Sequence, residues 1–130
     1  MTQPGLWVSG AAVAGGAAVG ALCRWGAAVV LNHRWQGFPL GTLFVNLLGG
    51  LLVGIALVWL QDKPYGTLHL FVLTGMLGGF TTFSAFSAES LALIARGQWQ
   101  LATAHALAHV VGALACAALG VALARAVVAA

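Results

Sequence analysis

Charge is what this 130-residue chain has least of: five Lys or Arg and two Asp or Glu, 5% of its positions. Soluble domains carry about 25% charged residues, so a surface built from this composition does not face water. The formal net charge of +3 rests on so few groups, with no basic run among them, that nucleic acid is excluded as a partner. Cysteine is nearly absent. Cys23 and Cys116 both fall inside apolar segments, which argues against a disulfide scaffold and for buried structural thiols. An enzyme of the membrane interior is disfavoured too, because no Ser–His–Asp arrangement or metal triad appears in the sequence and Asp62 sits among turn residues. The N-terminus lacks the basic region and clear cleavage site of a signal peptide, so Leu6 onward reads as mature structure.

What is abundant is apolar: 62% of residues are hydrophobic, with 18 glycines. A membrane-spanning helix needs about 20 such residues in a row, and four stretches qualify, roughly 6–31, 40–60, 67–95 and 101–128. The intervening runs NHRWQGFP, QDKPYG and RGQWQ carry the Gly, Pro and polar residues that end helices. Trp7, Trp35, Trp59 and Trp99 fall at the proposed span ends, where amphipathic rings favour the headgroup level. The fold class is therefore an all-α membrane protein of four transmembrane helices. Its orientation is barely encoded. With four spans, Lys63 and Arg125 lie on one side and Arg34 and Arg96 on the other, with Arg24 joining the latter if it reaches that surface. The Lys/Arg asymmetry that fixes topology is missing, which leaves two readings: one orientation set by weak signals, or insertion both ways with pairing to an inverted copy.

Glycines recur at the spacing that lets helices touch in lipid: Gly16 and Gly20, Gly50 and Gly54, Gly75 and Gly79. Four helices are also too few to enclose a generous pathway alone, which favours an oligomer. Ionisable groups at membrane depth are costly and are functional candidates by default. Glu89 is the one acid within a span, and Arg24 lies two-thirds along the first, as an anchor or a vestibule residue. Asn46, six residues into the second span, must find partners for its amide, across helices or on an anion. His105 and His109 are four apart and share a helix face. That spacing suits a metal, but a site needs further ligands. Glu89 is the only acid at depth, so hydrogen-bonded neutral histidines near a wet cavity are the preferred reading.

The stretch GMLGGFTTFSAFSAES, Gly75–Ser90, concentrates three glycines, five hydroxyl residues and three phenylalanines in sixteen positions. Gly78-Gly79 followed by Thr81-Thr82 predicts a helix break mid-span, tolerated at depth only where protein, water or an ion satisfies the freed backbone. Beyond the break, Phe83 and Phe86 are three apart, with Ser84, Ser87 and Ser90 one step around. Aromatic edges are positive and hydroxyls donate, a combination that suits a small, strongly hydrated anion. The alternative is a packing stripe beside serines that bond back to their own helix.

GGFTTFSAFSAE (78–89) resembles the signature of the fluoride channel family (Fluc, also called CrcB), GTLFVNLLGG (41–50) its second-helix motif, and GALCRW (20–25) its first-helix arginine. The likeness runs over essentially the whole chain. It implies a passive fluoride-selective channel that exports F⁻ across the cell membrane and relieves fluoride toxicity. The implied form is one four-helix channel domain over 1–130, its third helix broken mid-membrane, assembled as an antiparallel dual-topology homodimer. It also implies a structural Na⁺ at the dimer centre, held by the main-chain carbonyls of Gly78 and Thr81. By position, Asn46, Thr82, Phe83, Ser84, Phe86, Ser87 and Glu89 match the fluoride pathway and Arg24 the vestibule. One departure stands out. Where the family's fourth helix offers hydroxyls, this chain has His105, His109 and Ala113, and histidines there would make conduction pH-dependent. Two other readings compete, a small proton-coupled multidrug exporter and a non-transporting assembly subunit. The first span offers the exporter no acid, and the second leaves Asn46, Phe83, Phe86 and Glu89 unexplained.

Overall fold

The computed structural model describes residues 5–31 and 38–130; Arg34 and Trp35 lie outside them. Four helical spans long and apolar enough to cross a membrane are present, Leu6–Leu31, Leu40–Leu60, Thr67–Ala95 and Trp99–Val128. We label the first two α1 and α2, the two halves of the third α3 (67–80) and α4 (Phe83–Ala95), and the last α5 (Trp99–Val128). No strand occurs among the described residues. Trp7, Trp59 and Trp99 are exposed near the ends of their spans, as amphipathic rings at the headgroup level should be.

The chain forms two helix pairs, each closed by backbone contact through small residues. α1 lies along α3, and α2 along α5. A Cβ added to Gly75 would stand 2.7 Å from the Val13 carbonyl oxygen, and one on Gly79 2.7 Å from that of Ala17. From the other side, Gly16 and Gly20 face the backbone of Phe71, Met76 and Phe80. In the second pair, Gly50 and Gly54 face the carbonyls of Ala113 and Ala117, and Gly120 that of Leu51. The G-x-x-x-G spacings are thus explained as packing surfaces. In lipid, where apolar burial does not drive association, such close approach is a main source of cohesion. Leucine and valine side chains such as Leu22, Val30, Leu114 and Val127 point outward, more than half of each exposed.

The third span is irregular in two ways. Leu70–Leu77 winds as a π-helix, and at Thr81 and Thr82 the backbone turns extended, with ψ of 158° and then 119°. The break falls after the glycine pair. Gly78 itself keeps helical angles (φ −63°, ψ −37°); it is the missing Cβ of Gly79 that serves the approach of α1, while the two β-branched threonines carry the extended conformation. α4 then ends on Gly97, whose φ of +72° allows a Schellman closure: Gly97 N–H to Ile94 O at 2.8 Å and Gln98 N–H to Leu93 O at 3.0 Å. That turn sends α5 back along α2 and against α4.

Candidate functional site

The break frees backbone groups at membrane depth, and side chains from other places take most of them up. Asn46 on α2 forms a two-way pair with Thr82: its Nδ2 donates to the Thr82 carbonyl at 3.0 Å, and its Oδ1 accepts the Thr82 N–H at 2.8 Å. Thr82 Oγ1 accepts the Ala85 N–H at 3.2 Å and caps α4. Arg24 Nε donates to the Gly79 carbonyl at 3.1 Å. A specific deficit results. In an unbroken helix the Thr82 and Ala85 N–H groups would bond to the carbonyls of Gly78 and Thr81. Here both donors are directed to side chains, so these two carbonyls lose their helical partners.

Beside the break lies an open groove of about 430 Å³, bordered by Asn46, Thr81, Thr82, Phe83, Phe86 and His109 and by residues of α2 and α5. The two rings are 5.3 Å apart at 54° and differ in setting. Phe83 is 77% exposed, so a single chain supplies it with almost no packing. Phe86 is half-buried and lies against His105 (5.3 Å, 17°) and His109 (4.8 Å, 38°). Ser84 and Ser87 are exposed; Ser84 Oγ is 3.2 Å from Thr82 Oγ1, and Ser87 donates back to the Phe83 carbonyl at 2.9 Å. Ser90, the last of the row, instead meets His105 Nδ1 at 3.0 Å.

A second cleft, about 380 Å³, opens on the other side of the break, where Arg24, Thr42, Thr82 and Glu89 share the wall with small apolar residues. Thr42 Oγ1 donates to Glu89 Oε1 at 2.5 Å. Glu89 Oε2 approaches His105 Nε2 to 3.4 Å, and His109 Nδ1 lies 2.9 Å from the His105 carbonyl. The i, i+4 histidine pair visible in the sequence thus acquires a third polar neighbour from α4, a juxtaposition that depends on how α4 packs on α5 and that no local pattern announces.

An all-helical, four-span integral membrane protein with an interrupted third helix is the class these features define. The family model described as "CrcB-like protein, Camphor Resistance (CrcB)" matches residues 11–121, and the chain belongs to that family. Among curated relatives, a protein named fluoride-specific ion channel FluC from Aromatoleum aromaticum is 50% identical over 105 residues, covering 79% of this chain and 80% of the relative. Its namesake from Bordetella petrii is 46% identical over 128 residues, 97% and 98% of the two chains. A third, from Thiobacillus denitrificans, is 45% identical over 111 residues, 84% and 90%.

Proposed function

We propose that this chain is a passive, fluoride-specific channel of the cell membrane that lets F⁻ leave the cell and so relieves its toxicity. The relatives carry the name of an ion channel rather than of an enzyme. The observation that carries the reading for this chain is the groove at the interrupted span, where two phenylalanine rings border backbone and hydroxyl donors. Fluoride holds its hydration tightly, and a narrow path can strip it only by offering replacements: positive ring edges from Phe83 and Phe86 and donors from Asn46, Thr82 and Ser84, with Ser87 on the same track but its hydroxyl bonded back to the Phe83 carbonyl. Glu89 lies further along the track. Arg24 lines the cleft leading to it and supplies the positive potential that draws an anion in.

The groove is open on one side and Phe83 stands almost bare. A second copy would furnish the missing wall. The lack of Lys/Arg asymmetry suits an inverted copy, giving an antiparallel dual-topology homodimer. The Gly78 and Thr81 carbonyls, without their helical donors, fit the oxygen-only chemistry of a hard alkali cation, and we assign them to a structural Na⁺ at the dimer centre. When bound, that ion supplies fixed positive charge near the anion path.

The test is fluoride-electrode efflux from proteoliposomes. Wild-type protein should release F⁻ rapidly and retain Cl⁻, and Phe83→Ile should abolish F⁻ release while eluting as the same oligomer on gel filtration. Wild-type vesicles that retain fluoride would refute the channel. Full efflux through Phe83→Ile would refute the role of the rings.

A further inference from the structure

Three buried polar atoms stand close together and make no hydrogen bond among the described residues, Glu89 Oε2, His105 Nε2 and His109 Nε2, although the first two lie within ion-pair distance of each other at 3.4 Å. One ligand atom from each residue fits within a span of 4.8 Å. His105 is 0% and His109 4% exposed, and a buried polar atom without a partner is costly. We infer that Glu89, His105 and His109 form a binding site for a borderline divalent transition metal such as Zn²⁺, lying in the protein wall between the two clefts. This site is distinct from the main-chain Na⁺ site, whose donors are carbonyl oxygens, and it stands whether or not fluoride passes alongside.

The outer contacts of all three residues are those a metal site needs. A carbonyl can only accept, so His109 Nδ1 must carry the proton it shares with the His105 carbonyl at 2.9 Å. The neutral ring then has its lone pair on Nε2, the atom left unpartnered. His105 Nδ1 meets Ser90 Oγ at 3.0 Å, and when the ring donates there its Nε2 is likewise a lone pair. Thr42 donates to Glu89 Oε1, which orients the carboxylate and leaves Oε2 free. Ligating histidines and carboxylates are typically held through their second polar atom in this way. Two imidazoles and a carboxylate are a known ligand set for Zn²⁺, and a tetrahedral ion at 2.0–2.1 Å spaces its ligands roughly 3.3 Å apart. The His105–Glu89 separation of 3.4 Å already matches, while the widest ligand pair, within 4.8 Å, must close on metal binding. Among the described residues no salt bridge joins Arg24 to Glu89; the ion-pair contact of the carboxylate is with His105, itself a member of the proposed site. Glu89 also forms part of the wall of the Arg24 cleft, and His109 part of the wall of the groove beside the break.

The experiment is Zn²⁺ titration calorimetry on the purified full-length protein in detergent, with Co²⁺ absorption as an independent readout. Wild type should bind one Zn²⁺ per chain and give visible Co²⁺ bands of a low-coordinate nitrogen–oxygen site, bleached by added Zn²⁺. His105→Gln, His109→Gln and Glu89→Gln should each weaken Zn²⁺ binding at least tenfold, and Thr42→Val should weaken it several-fold. Substitution of His69, a buried histidine of α3 whose Nε2 lies 3.1 Å from the Leu60 carbonyl, by Gln (His69→Gln) should leave it unchanged. Gel-filtration elution identifies any variant that fails to fold, and the wild-type Co²⁺ spectrum then decides alone. Absence of both the heat and the Co²⁺ bands in wild type would overturn the site. So would wild-type affinity in all three ligand variants, or loss of binding in His69→Gln.

Discussion

The two halves of the interrupted span have opposite relations to their neighbours. α3 meets α1 through glycine and bare backbone, with Gly75 and Gly79 set against main-chain atoms of Val13 and Ala17. α4 meets the α2–α5 pair through side-chain chemistry: Glu89 to Thr42, Ser90 to His105, Phe86 to both histidines. One half is fixed and featureless, the other is loosely packed and polar, and two extended residues separate them. Such a break lets a single span serve as frame on one side and as working surface on the other, because the face that one half presents does not dictate the face of the other.

That contrast predicts a graded series of substitutions. The largest loss should come from the frame. In Gly20→Val the new side chain meets Met76 and Phe80 backbone, which cannot rotate away, and overpacking should cost upward of about 3 kcal/mol; thermal unfolding in detergent should show little folded protein. A Gly20→Val variant as stable as wild type would erase the distinction between the halves. The junction should be intermediate. Asn46→Leu orphans both the N–H and the carbonyl of Thr82, at about 1–3 kcal/mol for each buried group, while Asn46→Asp keeps the acceptor and should lose less. A fluoride-electrode assay should find efflux falling in the same order. The smallest effect belongs to the outer face of α4. Ser87 is exposed and bonds to its own helix, so Ser87→Ala should change stability by less than about 0.5 kcal/mol and efflux by less than twofold. A larger drop would mean that its hydroxyl turns toward the ion.

Much of this contrast can be read from the residues, and the rest has identifiable reasons for being hidden. Hydropathy places the spans almost to the residue, the fourth beginning at Trp99 rather than near 101, because a lipid-facing helix must be apolar all round. Gly78-Gly79-Phe80-Thr81-Thr82 announces a break, yet the glycines stay helical and the threonines unwind, since the pattern does not say which pair α1 needs close. The π-helical turns at Leu70–Leu77 carry no residue signature at all. Asn46 is marked as an amide in need of partners, but its partner lies 36 positions away. The i, i+4 spacing of His105 and His109 is plain in the sequence, whereas the arrival of Glu89 from another helix is a product of tertiary packing. Local patterns specify elements and candidates; pairings across helices are set only when the α2–α5 and α1–α3 contacts close.

The two-way pairing of Asn46 with Thr82 bears on how the protein is made. An emerging third span that met lipid without its predecessor would expose an amide and a carbonyl with no water to quench them, a penalty of several kcal/mol on the least hydrophobic of the four spans, at a mean hydropathy of 1.4. Membrane entry of residues 67–95 is therefore tied to the earlier arrival of residues 40–60, and the two should leave the insertion machinery as a hairpin rather than one by one.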